Sequence, residues 1–365
     1  MKYCEHSQWL SLCTQGNETA FFESDRLHTL VDQIPNPDHQ HPSLVVLIGN
    51  AAKTLALREI VPATKNRKFG RRRRHGEVHL HLDSSSAFHE RPLLFAEGDF
   101  PERNARTQLD SDEKCHETIR RILPRVREGV PGLCQSAVAD NLYSRLLCPF
   151  ADVFCFFSAD FDGFGPIVRH LASWLDGGKP SIMPKTTYPR VIIVTESQTI
   201  GVADEDEAKI RFLSMLKDET TKDFSTRFSA LDVLCIFPSG SISNAARFRP
   251  LKESLMKASD HVRTSRTTSR TLFSARHFAA FFRLACDHFA TTSKEPFDFV
   301  RTSRSKTPVS PDLDKHLFTF LSNIKSPHEL TEFAVPIIAS SFLLDSYPPD
   351  MHGKQKFRVG TRTYV

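Results

Sequence analysis

The chain has 365 residues, 40% of them hydrophobic and 25% charged, with 29 phenylalanines and a formal net charge of +5. This is the composition of a globular protein with room for a large buried core, and it excludes a disordered chain. No apolar run approaches the ~18 residues of a membrane span, and the opening Met1-Lys2-Tyr3-Cys4-Glu5-His6 lacks the apolar stretch of a secretory signal.

Residues 1–43 read as an N-terminal extension. Leu44–Ile48 is the first strand-length apolar run, and a Gly-Asn turn joins it to a helix over Lys53–Ile60 that stops near Pro62. A basic stretch, Lys65 to His75, follows. Glu77–Leu82 alternates with period two, placing Val78, Leu80 and Leu82 inward, and Pro92–Ala96 is a continuous apolar strand; the short polar turn between them predicts an antiparallel pair. Residues 112–128 are read as a helix within a polar, weakly patterned region. Asp152–Phe157 is a fully buried strand, and Phe164, Ile167, Val168, Leu171 and Leu175 recur at helical spacing up to a Gly177-Gly178 stop. Strands at Arg190–Val194 and Leu231–Phe237 then alternate with helices at about 204–218 and 247–262. Strands alternating with helices predict an α/β fold, a mostly parallel sheet with helices on both faces, over 44–262.

Beyond 262 the character changes. Arg263–Arg270 reads as a polar, basic linker. Three amphipathic patterns follow, at Ala275–Phe289, Leu313–Ile324 and Leu330–Ile338, with Pro336 expected to kink or split the last. Residues 263–350 are therefore read as a helical module and 351–365 as a frayed tail.

The turn after the first strand is where chemistry is expected. An apolar strand, a turn and then Lys53-Thr54 opening a helix have the layout of a phosphate-binding loop, Gly-x-x-x-x-Gly-Lys-[Ser/Thr]. Gly49, Asn50, Ala52, Lys53 and Thr54 are thus the candidate contacts to a nucleoside triphosphate, with Thr54, Glu97 and Asp99 as candidate ligands of Mg²⁺. Leu47 and Ala52 stand at the two glycine positions, and the second adds a methyl where backbone must approach phosphate closely. An ordinary strand–turn–helix joint with a surface lysine explains the same residues. Guanine selection is not supported: Val194 is followed by Thr195-Glu196-Ser197-Gln198, which has neither the lysine nor the base-reading aspartate.

Other groupings carry less. Eight cysteines without a Cys-x-x-Cys pair suit a reducing compartment and a cytoplasmic location. Cys4, His6 and Cys13 lack a fourth ligand and match no common zinc spacing. Glu77, His79, His81 and Asp83 share one face of a strand and are read as the solvent side of an edge strand rather than as metal ligands. Arg71–Arg74 reads as a solvated loop, without the aromatic platform of a nucleic-acid site. No Gly-x-Ser-x-Gly occurs, which removes the nucleophile elbow of the α/β-hydrolases.

The order of strand, loop, helix, hairpin pair and three strand–helix units resembles small and dynamin-like GTPases. Three stretches, Cys148–Phe157, Phe273–Phe282 and Phe333–Pro349, resemble the N-terminal part of large fungal patatin-like phospholipase proteins, and the resemblance spans roughly 44–352. It implies an accessory region of such an enzyme, with a patatin-like lipase domain or another protein as partner. Lipase activity does not carry over, because the motif of the lipase nucleophile is not in this sequence. The expectation is a degenerate nucleotide-binding module with a regulatory or interaction role; a working NTPase and a fragment acting with a patatin domain are the alternatives.

Overall fold

The computed structural model describes residues 6–15, 18–61, 76–100, 117–123, 135–198, 201–292, 295–304 and 310–346. It divides into two compact units, Met1–Phe297 and Asp298–Val365.

The first unit is built on one nine-stranded sheet: β1 (Gln8–Gln15), β2 (Glu18–Ser24), β3 (Ser43–Ile48), β4 (Glu77–Leu82), β5 (Leu93–Gly98), β6 (Thr118–Ile122), β7 (Val153–Phe157), β8 (Arg190–Glu196) and β9 (Ala230–Ile236). Their order across the sheet is β6-β2-β1-β4-β5-β3-β7-β8-β9. From β5 to β9 every pairing is parallel, and from β4 to β6 every pairing is antiparallel. The expected α/β class and the β4–β5 hairpin are both present. Chain direction therefore changes character at one place, the β4–β5 boundary, and β3 lies just inside the parallel half.

Among the described residues seven α-helices belong to this unit: α1 (Arg26–Val31), α2 (Ala51–Ile60), α3 (Gln135–Asn141), α4 (Phe164–Asp176), α5 (Val202–Glu219), α6 (Asn244–Thr268) and α7 (Ala275–Thr291). One face of the parallel half packs Val45, Leu47, Phe95, Cys155 and Val194 against Ala56, Leu57 and Ile60 of α2 and Phe248, Leu251 and Leu255 of α6. Alternation along β7 sends Phe154 and Phe156 to the other face, where both rings meet Trp174 of α4 at 5.4 and 5.9 Å.

Several expectations change. The residues read as an N-terminal extension supply β1, β2 and α1, so β4 is an interior strand and the Glu77–Asp83 face is not an outer solvent face: His81 and Asp83 are each only 3% exposed. The helix expected over 112–128 is contradicted at Thr118–Ile122, which pairs with β2; the rest of that range lies outside the described residues except Glu117 and Leu123. Arg120 and Arg121 fix that strand through ion pairs to Glu18 and Glu23 at 2.7 and 2.8 Å, a cross-strand gain that outweighs local helical pattern.

The expected linker over Arg263–Arg270 is instead largely the last turns of α6. Its basic character has a buried use: Arg266 meets Asp152 at 2.9 Å and donates to the Ala151 carbonyl at 2.9 Å. Helix α7 joins the same unit, with Phe282 against Trp9 and Phe289 against Phe21, at 4.4 and 5.5 Å between ring centres. Arg71–Arg74, Cys4 and residues 351–365 lie outside the described residues.

The second unit contains α8 (Phe299–Arg304), α9 (Leu313–Ser322), α10 (Pro327–Glu329), a π-turn (Leu330–Ala334) and α11 (Val335–Ser346). Pro336 does not split the last helix. Its ring crowds the carbonyl four residues back, at Glu332, and the backbone widens into the π-turn there while staying helical from 327 to 346.

Candidate functional site

The C-terminal ends of β3, β5 and β7 lie side by side, and open α/β sheets place ligands along such an edge. Between β3 and α2 only Gly49 and Asn50 remain outside regular structure. Counted from Gly49, the phosphate-loop pattern would place its lysine at Leu55; the lysine comes two residues earlier, at 53. Counted from Lys53, the first glycine position is Leu47, a fully buried residue inside β3. The turn is too short to wrap a phosphate in the usual way.

What it wraps is a side chain. The Asp160 carboxylate accepts backbone N–H groups from Asn50 at 2.6 Å, Ala52 at 2.9 Å and Lys53 at 3.0 Å. Converging N–H groups at a helix start are an anion nest, and here a carboxylate of the same chain occupies it. Asp160 reaches the turn from the end of β7 through a short 3-10 turn, Ser158–Asp160. Gly49 has φ +153°, and a Cβ there would stand 2.5 Å from Asp160 Oδ2, so glycine is required both by the backbone and by the approaching carboxylate.

Lys53 turns inward. Only 3% of it is exposed; its ammonium lies 3.0 Å from Glu97 Oε2 and donates to the Gly98 carbonyl at 3.3 Å. Glu97 is fully buried, and its other oxygen meets His81 Nε2 at 3.1 Å. An ionised carboxylate only accepts, so Nε2 carries the hydrogen. The result is a row from α2 through β5 to β4: Lys53, Glu97, His81. Each charge is desolvated and each has a partner, the condition under which burying them is tolerable.

The candidate Mg²⁺ ligands have other contacts. Thr54 Oγ1 donates to the Asn50 carbonyl one helical turn back at 2.7 Å, Glu97 faces Lys53 and His81, and Asp99 accepts the Gly76 N–H at 3.3 Å. Among the described residues no three His, Cys, Asp or Glu side chains are grouped to hold a metal ion. Where a base would be read, at the end of β8, Glu196 accepts from Arg247 at 2.5 Å, and Arg247 Nε donates to the Phe237 carbonyl at 2.6 Å. A triphosphate and its Mg²⁺ do not fit these residues as they stand: a carboxylate fills the nest, and the lysine ammonium is committed elsewhere.

All five expected nucleotide contacts thus gather at the turn, but the residues that define it were not among them. Asp160, His81 and Arg247 were missed. A signal for Asp160 existed, since Asp160-Phe161-Asp162-Gly163 puts an acid and a turn directly after the β7 run. Nothing local marks His81, which is buried in a strand that lies between β1 and β5 rather than at an edge. A second buried pair sits at the opposite edge of the sheet, where Asp152 takes Arg266 and accepts from Ser259 Oγ at 3.0 Å. Nearby, burial pushes the Cys148 thiol up to about 11 and the neighbouring Arg227 guanidinium down to about 10. The chain matches no protein-family model, and no curated protein matches it.

Proposed function

We propose that this protein is a nucleotide-independent interaction module, built on a GTPase-like α/β fold whose phosphate site is closed from within. The observation that carries the reading is the Asp160 carboxylate on the Asn50, Ala52 and Lys53 amides, together with the commitment of Lys53 to Glu97. The strand order supports the fold-level part: a hairpin, β4–β5, flanks the loop strand on one side, and three further parallel strands flank it on the other. With both the nest and the lysine satisfied internally, a triphosphate would have to displace one anion and break a buried ion pair before gaining any contact. That cost opposes binding, and turnover would have no positioned cation to use.

The partner indicated by the sequence resemblance is a patatin-like lipase domain, regulated by contact rather than by nucleotide. Calorimetric titration of the full chain with ATP and GTP in the presence of Mg²⁺ tests the reading. No heat of binding and no phosphate release are expected. Tight binding with turnover, both abolished by Lys53→Ala, would establish the working NTPase instead.

A further inference from the structure

Two half-buried histidines stand where helix α7 is docked. The first turn of α7 is held by the segment before β3: the Gln40 carbonyl accepts the Ala275 N–H at 2.8 Å, the Pro37 carbonyl accepts the Arg276 N–H at 3.1 Å, and Arg276 Nε meets Asp38 at 2.9 Å. His41 closes that segment; Arg263 of α6 donates to its carbonyl at 3.0 Å and reaches Glu90 at 3.1 Å. Helix α7 also packs on α1, which carries His28, and Arg283 of α7 is a charge facing that ring. In each imidazole one ring nitrogen, Nε2 of His28 and Nδ1 of His41, is buried with no hydrogen-bond partner among the described residues. A neutral imidazole tolerates this, because its single hydrogen can sit on the other nitrogen. An imidazolium carries N–H on both, so the covered nitrogen becomes a donor without an acceptor, on a charged ring short of water.

We propose that α7 is an acid-released latch: protonation of His28 and His41 drives it off β1 and β2 and uncovers Trp9 and Phe21, the rings it packs against. Detachment returns water to both imidazoles and breaks no strand pairing, because α7 lies outside the sheet. The surrounding charges agree. His28 faces Arg283 of α7, against Asp25 and Asp32 at the two ends of α1. His41 faces Arg263 of α6, His277 of α7 and its neighbour His39, against Glu90 of the β4–β5 connection. Burial first, and these cations second, hold both rings below their ordinary 6.5. A ring lowered in the docked state binds its proton more readily once α7 has left. Its contribution to docking is therefore complete above 6.5 and is lost as pH falls from there through the lower, docked value. Glu23 of β2, which faces Arg283 and Asp287 of the same helix, works the other way: burial raises its carboxyl, so its protonation favours docking. The latch goes beyond the interaction reading and holds whether or not Asp160 closes the nest.

Amide hydrogen exchange of the full chain at about pH 7.5 and about pH 5.5, corrected for the intrinsic pH dependence of exchange, tests this. Protection over Ala275–Thr291 should be lost at the lower pH while Val153–Phe157 stays protected. In H28Q/H41Q, whose glutamines stay neutral, α7 should remain protected at both. A second readout needs no variant: the ring protons of His28 and His41 in the wild type should titrate below 6.5, in step with the loss of protection. Should H28Q/H41Q lack native protection at neutral pH, that titration decides alone. Protection of α7 that does not change with pH overturns the proposal. So does a loss that persists in a folded H28Q/H41Q, or a pair of rings that titrate at or above 6.5. Simultaneous loss over Val153–Phe157 would overturn it too, in favour of general acid unfolding.

Discussion

Both ends of the parallel sheet carry a buried carboxylate held by a cation, yet the two ends are of different kinds. At the N-terminal edge Asp152 is gripped by Arg266 and Ser259, an arrangement that ties α6 to β7. At the C-terminal edge, where such folds ordinarily bind ligands, Lys53, Glu97 and His81 form a second tie, from α2 to β5 and β4. One would expect the first edge to serve stability and the second to wait for a ligand. Here the second edge is built like the first. The difference lies only in Asp160, which holds backbone amides rather than a cation, and so remains the one contact there that a foreign anion could imitate.

Substitutions separate these roles, and the largest effect is expected at the N-terminal edge. Arg266→Ala strands Asp152 in the core and should cost about 3–5 kcal/mol in chemical denaturation. Lys53→Met strands Glu97 with His81 as a remaining partner, and a loss of about 2–3 kcal/mol is expected. This figure sharpens the comparison. A lysine reserved for a bound phosphate would leave the unliganded protein's stability unchanged, and that result would divide the two edges again.

Asp160→Ala removes the acceptor for three N–H groups at the start of α2. A cost of about 1–2 kcal/mol is expected, as for a lost helix cap. The same variant should gain a stabilisation by millimolar pyrophosphate, read as a melting-temperature rise, that the wild type lacks. A pyrophosphate response in the wild type equal to that of the variant would show that Asp160 does not close the nest.

The smallest effect concerns pH at the far edge. Burial pushes the Asp232 carboxyl up, but hydrogen bonds and charge from Arg190 at 2.8 Å and Lys209 at 3.4 Å outweigh it and hold the group below its ordinary 3.8. A carboxyl lowered in the folded state contributes stability that is complete above the unfolded value. The contribution disappears as pH falls through the lower, folded value. Asp232→Asn should therefore lower stability slightly at neutral pH and make no difference in strong acid.

Much of the parallel half was legible because its strands are unbroken apolar runs and its helices carry clean periodicity: Val153–Phe157 and Phe164–Asp176 needed no distant information. The antiparallel half was not. Strand β6 is Thr-Ile-Arg-Arg-Ile, which acquires its meaning from β2 and from Glu18 and Glu23, a hundred residues away. Arg263–Arg270 looked like a linker because arginines read as solvated; the Asp152 carboxylate and the carbonyls of Pro149–Ala151 show why Arg266 is inside. At the site, the sequence marked the turn and the lysine. It did not mark the direction of the lysine, nor the acid 107 residues on that takes the amides. Those depend on which strands lie beside β3, a property of the sheet and not of the loop.

The most direct test is the backbone amide spectrum of ¹⁵N-labelled protein. Resonances of Asn50, Ala52 and Lys53 should move when Asp160 becomes alanine and stay in place when the wild type receives Mg²⁺ and GTP or ATP in excess. Shifts of these three amides on nucleotide addition to the wild type, with none on Asp160→Ala, would contradict the account.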